Sequence, residues 1–185
     1  MTSANDTLGK GLDLVEVASG LLTNVEEHFA AAAVDLPVRR YLVPGDPAQA
    51  AWDCEQVTVS MQGVGWGPVP DLASQSPKIG IHASVASVRH VVLVVEIVRC
   101  TPSVQQSRSG NTLLPSVEDM DESGRASMRD AGLLSQAIVR YASRVRQIID
   151  KESGLVQPGA VQPVGPAGGF VSNAGTLAIS AGNLL

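Results

Sequence analysis

The sequence predicts an α+β fold: a small, mostly antiparallel sheet with helices packed on one face and long loops between the elements. Two apolar segments that fit together in one register, and two seams of apolar residues at helical spacing, make that prediction. Residues 54–62 read Cys-Glu-Gln-Val-Thr-Val-Ser-Met-Gln, and residues 91–100 read Val-Val-Leu-Val-Val-Glu-Ile-Val-Arg-Cys. Laid antiparallel with Cys54 opposite Cys100, they place Val57 against Ile97, Val59 against Val95 and Met61 against Leu93, while Thr58 meets Glu96 on the other face. A slip of one residue would turn the apolar set to the wrong side, so the pairing is specified by the pattern itself. The alternation describes a half-buried sheet.

The first helix is predicted over 10–33, where Leu14, Ala18, Leu21, Val25 and Phe29 recur every three or four residues, and Pro37 marks a point it cannot pass. Residues 38–43 have the composition of a short strand and are closed by the turn signal Pro44-Gly45-Asp46-Pro47. Strand 54–62 follows. Residues 63–87 are rich in Gly, Pro and Ser and far exceed what a hairpin needs, which marks a functional or mobile loop; part of it, 78–85, is weighed as a further strand. After strand 91–100 an irregular stretch runs from 101 to 114. The longest helix is predicted over 117–150, its seam passing through Val117, Met120, Gly124, Ser127, Ala131, Leu134, Ile138, Tyr141, Val145 and Ile148. Ser116 with Asp119 forms a capping box at its start, and Gly154 suits its end. The small residues early in the seam imply close approach to another backbone there. Residues 155–169 have the composition of a Pro/Gly-rich connector, and 170–181 of a last strand with Leu177, Ile179 and Ala181 on one side.

A length of 185 residues suits one domain with one core. Aromatic residues make up only 3%, against 18 Gly and 11 Pro, so the core is modest and the loops are long. The net charge of −5 argues against a general grip on nucleic acid, which needs clustered cations. Arg39 with Arg40, and Arg140, Arg144 and Arg146, are the basic concentrations and read as solvated faces or partner contacts. The N-terminal residues carry no secretory pattern, and the apolar run 91–95 is too short to span a bilayer. Two cysteines in such a chain read first as reduced thiols, although the register sets them side by side as a cross-strand pair.

Three constellations invite a chemical reading. Gly63-Val-Gly-Trp-Gly67 follows a strand but is succeeded by Pro68, Val69 and Pro70, not by the helix whose N-terminus would take a phosphate. Asp119, Asp121, Ser123, Gly124 and Asp130 fall at calcium-loop positions one, three, five, six and twelve. The bidentate Glu and the entering helix are missing, and the helical seam runs straight through, so the carboxylates suit the helix dipole instead. His28, His82 and His90 share no metal spacing; His90 lies on the Cys54/Cys100 face, but a Cys₂His site lacks a fourth ligand. No Gly-x-Ser-x-Gly elbow is present. The expectation is a protein without catalysis, cofactor or metal.

The strings Tyr41-Leu-Val-Pro-Gly45, Trp52-Asp53-Cys54-Glu55-Gln56 opening a strand and Val98-Arg99-Cys100-Thr101-Pro102 closing one, with Pro115-Ser116-Val117 leading into a helix that holds Asp130-Ala131, resemble the tail terminators of long-tailed actinobacterial phages. The likeness covers about residues 38–149; the connector and the last strand depart from it. It implies a structural virion protein at the head–tail junction, assembled in the host cytoplasm. Such a protein forms a homo-hexameric ring on the tail tube, ends tube polymerisation and docks the neck protein, while genomic DNA passes its lumen and no membrane is involved. A ring needs two different complementary surfaces. One is expected on loop 63–87, with Trp66, Pro68, Arg39 and Arg40 as contacts, and the other on the outer face of helix 117–150. Glu118, Asp119, Asp121 and Glu122 are expected to line the lumen, where like charge lets DNA slide past. The alternatives are a stopper, neck or tube subunit of the same particle, or a small calcium-binding cytosolic protein.

Overall fold

The computed structural model describes residues 13–44, 55–66, 89–106, 112–149, 155–167 and 169–181. The fold is α+β: the described residues form two helices and one mixed six-stranded sheet, with a separate two-stranded ribbon. In chain order the elements are α1 (Leu14–Ala31), β1 (Arg39–Pro44), β2 (Gln56–Trp66), β3 (Arg89–Cys100), β4 (Gln105–Gln106), β5 (Thr112–Leu113), α2 (Val117–Val145), β6 (Leu155–Pro158), β7 (Gln162–Ala167) and β8 (Phe170–Ala181). The sheet order is β1-β2-β3-β8-β6, and β7 pairs the same strand, β8, that β6 does.

The β2–β3 ladder has the predicted register: Val57 pairs Ile97, Thr58 pairs Glu96, Val59 pairs Val95 and Met61 pairs Leu93. It also runs on past the predicted end. A bulge between Met61 and Gly63 shifts the register by one, and pairing continues to Trp66 opposite Arg89. An extra residue at a bulge increases the local twist without ending the pair. β1 is the parallel exception, with Arg39 opposite Gln56.

One face of the sheet carries both helices. Val57, Val59, Val91, Leu93, Val95, Ile97, Leu177 and Ile179 share a core with Leu21, Val25 and Phe29 of α1 and with Leu134, Ile138, Tyr141 and Val145 of α2. Asp13 caps α1, its carboxylate accepting from Val15 N at 2.8 Å. The helix stops at Ala31, two residues short of prediction, because Ala33 turns into the left-handed region at φ 53° and Val34 N closes onto the Phe29 carbonyl. Ser116 caps α2 by accepting from Asp119 N at 3.0 Å, as the capping box predicts.

Four expectations need correction. The sheet is not half-buried: Gln56, Thr58, Ser60, Val94, Glu96, Val98, Ala178 and Ser180 on the face away from the helices are all below a tenth exposed. Alternating Thr, Ser and Gln imitates a solvent-facing pattern, yet here it forms a second, polar interior. The stretch 155–169 is not a plain connector but holds β6 and β7. Its prolines are tolerated because both strands lie on the outer edge of β8, where a missing N–H costs no ladder bond. Helix α2 ends at Val145, before Gly154, in a series of turns over 146–149. Finally, the seam of α2 is not continuously packed. Its buried residues begin at Asp130, Val117 and Ile148 are exposed, and a Cβ on Gly124 would meet nothing within 4 Å among the described residues, so no described backbone approaches it there.

Tyr141 ties the two helices together. Its hydroxyl donates to the Val17 carbonyl at 2.7 Å, and burial pushes its pKa up to about 12 against a smaller lowering by Arg144. A phenol harder to ionise folded than unfolded contributes stability that is intact below pH 10 and fades as pH climbs toward 12. Tyr141→Phe is therefore expected to lose about 1 kcal/mol at neutral pH and to flatten the decline of melting temperature between pH 10 and 12. Thermal melts across that range check it; an unchanged alkaline decline would refute the assignment.

Candidate interaction site

Beyond the core, the described polar side chains converge on one cluster at the end of β3. Arg99 Nε donates to Asp130 Oδ2 at 2.7 Å, and Nη2 donates both to Asp130 Oδ1 at 3.3 Å and to the Asp35 carbonyl at 2.7 Å. Glu55 Oε2 stands 3.6 Å from Arg99 Nη1, while Glu55 Oε1 accepts from Cys100 N at 3.0 Å. One guanidinium thus links β3, α2, the segment after α1 and the residue before β2. Burial lowers the Arg99 pKa, but the hydrogen bond and charge of Asp130, and then Glu55, outweigh it, so the net shift is upward. Asp130 is only 1% exposed, and burying a carboxylate so fully is costly unless a cation such as Arg99 stands against it. Glu55 itself holds φ 64°, a strained left-handed conformation for a side-chain-bearing residue, kept in place by these two bonds. Beside the cluster, the Tyr41 hydroxyl donates to Gln56 Oε1 at 2.6 Å.

This geometry removes two candidate metal sites. Asp119 and Asp130 lie on one continuous helix, about 16 Å apart along its axis, and Asp130 is spent on Arg99. They cannot close round one calcium ion. His90 and Cys100 share a face but stand at opposite ends of β3, roughly 33 Å apart, which excludes a common metal. His28 Nε2 lies 3.3 Å from Gln136 Oε1, and His82 falls outside the described residues. Among the described residues no group of three potential ligands is close enough for a metal. The Gly63–Gly65 segment continues as strand, so it is no phosphate loop.

Cys100 is disulfide-bonded, contrary to the reading of reduced thiols. The other cysteine of the chain, Cys54, lies outside the described residues. Thiol titration of the denatured, unreduced protein is expected to find no free thiol; two would contradict the bond.

The remaining sequence-predicted contacts separate. Arg40 is engaged within the chain, its Nε donating to the Pro37 carbonyl at 3.0 Å and its Nη1 pairing Glu26 at 3.4 Å. Arg144 pairs Glu27 at 3.5 Å, and Arg146 donates twice to the Val156 carbonyl, so two of the basic residues near the end of α2 staple the fold. Arg39 begins β1 on the surface. Trp66 ends β2, and Pro68 lies outside the described residues. Glu118, Asp119, Asp121 and Glu122 are exposed on the first turns of α2, with Asp121 paired to Arg125 at 2.8 Å.

The sequence reading missed the Arg99–Asp130 pair. Its signal was present: Asp130 stands three residues after Ser127 and four before Leu134, on the face of the apolar seam, and an acid on a buried helix face requires a cation. No helix among the described residues is long and apolar enough to cross a membrane. Compared with protein-family models and with curated proteins, the chain shows no match.

Proposed function

We propose that this protein is a non-enzymatic ring component of a long-tailed phage, the tail terminator that caps the tail tube, ends its polymerisation and receives the neck protein. One observation supports the reading above others. The short strings that carry the resemblance are spread over some ninety positions of sequence, yet Glu55, Arg99, Cys100 and Asp130, from three of them, form the connected polar cluster at the end of β3, with a separate Tyr41–Gln56 hydrogen bond nearby. Residues joined in this way hold four chain segments in fixed relation, which is the task of a scaffold that must present surfaces rather than react.

In the ring, the exposed carboxylates of Glu118, Asp119, Asp121 and Glu122 face the lumen and keep duplex DNA from adhering. The hexamer's partners are the tail tube at one rim and the neck protein at the other. Electron microscopy of tail-tube protein polymerised with this chain tests the proposal. Tubes of limited length carrying the chain at one end are expected. Incorporation along the whole tube, or no binding, would overturn it.

A further inference from the structure

We propose that the disulfide at Cys100 is a redox-operated clip: closed, it holds Glu55 against Arg99, and its reduction releases Glu55 while the rest of the fold stays in place. The clip belongs to the single chain and stands or falls independently of the ring reading.

The chain has two cysteines, so the bonded partner of Cys100 is Cys54, the residue before Glu55. The β2–β3 ladder begins only at the Gln56–Val98 pair, which leaves Glu55 and Arg99 as the first positions past it. On its other side β3 is paired further, with Cys100 opposite Phe170, and Thr101 N donates to the Gly169 carbonyl at 2.9 Å. The end of β3 is therefore fastened to β8 by backbone, but to the start of β2 by side chains and one sulfur bridge.

The side-chain part of that fastening is weak and works against its own backbone. Glu55 sits at φ 64°, which is costly for a residue with a Cβ, so its surroundings must impose the conformation. Its carboxylate accepts from Cys100 N at 3.0 Å and stands 3.6 Å from Arg99 Nη1, yet the side chain is 46% exposed. An ion pair that open to water contributes little. Arg99 has its shorter bond to the buried Asp130 with or without Glu55. The covalent bond beside Glu55 is what tips it into the left-handed conformation, and strain held by an exposed disulfide makes the bond easier to reduce.

The chemistry is thiol–disulfide exchange with a small dissolved thiol such as glutathione. Cys100 is exposed, so a glutathione thiolate attacks its sulfur, forms a mixed disulfide and expels the Cys54 thiolate, which takes up a proton. A second glutathione thiolate attacks the glutathione sulfur of that mixed disulfide and releases Cys100, which is protonated in turn. Two glutathione thiols leave as one glutathione disulfide, and the protein gains two thiols. Glu55 is then free to leave φ 64°, and Cys100 N loses its acceptor.

Equilibration of the folded chain in glutathione buffers of graded ratio tests this, with thiol trapping to follow the bond and hydrogen exchange to follow the amides. One bond is expected to titrate reversibly with helical circular dichroism unchanged. Exchange is expected to quicken at Cys100 N while the β3–β8 amides stay protected. Glu55→Ala removes the carboxylate contacts and keeps the backbone strain, so its midpoint [GSH]²/[GSSG] is expected to fall about fivefold. Glu55→Gly removes the strain as well, and its midpoint is expected to lie about tenfold above that of Glu55→Ala. A bond that stays closed in excess glutathione, reduction that unfolds the helices, or equal midpoints for the three chains would overturn the clip.

Discussion

Asp130→Ala is expected to destabilise the protein by about 3 kcal/mol and to lower its melting temperature by roughly 6–12 °C. The substitution removes the carboxylate that takes two hydrogen bonds from Arg99, at 2.7 and 3.3 Å, and leaves the guanidinium partly buried with a distant Glu55 as its remaining charge partner. Stranding a buried ion costs far more than the pair contributes net, because desolvation is no longer compensated. Replacing both partners tests that cause: Arg99→Met/Asp130→Leu is expected to recover most of the loss, since neither charge is then stranded. The Glu55 strain and the bond to Asp35 keep recovery incomplete. Thermal or denaturant unfolding measures all three variants. If Asp130→Ala stayed within about 1 kcal/mol of wild type, the cluster would not organise the four segments it touches.

The second large effect is expected at Gly175, where α2 rests directly on the sheet. Gly175 pairs Val95 in the β3–β8 ladder, and a Cβ there would collide with Ile138 Cδ1 and lie 3.0 Å from Val161 Cγ2. Gly175→Val is expected to cost about 3 kcal/mol, at the upper end for overpacking, because Ile138 is fully buried and has no room to withdraw. Ile138→Ala alone leaves a cavity and costs about 2–5 kcal/mol. In the double variant the new methyl groups occupy the space that Ile138 vacates. Its loss is expected to fall short of the sum of the single losses by at least about 1 kcal/mol. Strict additivity in denaturant unfolding would show that the two residues do not share a contact.

The parts of this fold that were legible in the sequence are those where one chemical pattern decides. The β2–β3 register follows from Val57, Val59, Val95 and Ile97, since no other alignment buries them together. β8 has the predicted limits, and α2 starts where Ser116 caps it. The rest escaped for identifiable reasons. β6 and β7 carry Pro158, Pro163 and Pro166, which signal loop unless it is known that the strand sits on an edge. Thr58, Ser60 and Glu96 imitate an exposed face, because polarity alone does not reveal that a second side of a sheet is covered. The candidate contact surfaces were half legible. Periodicity identified the α2 stripe from Val117 to Met120 and Gly124, but what a stripe packs against is a tertiary fact, and this one stays largely exposed among the described residues.

Native mass spectrometry of the full chain tests the ring assignment most directly. The account predicts a closed six-copy assembly whose mass is that of protein alone. A monomer at tens of micromolar, or a ladder of ever larger species without a preferred size, would contradict it.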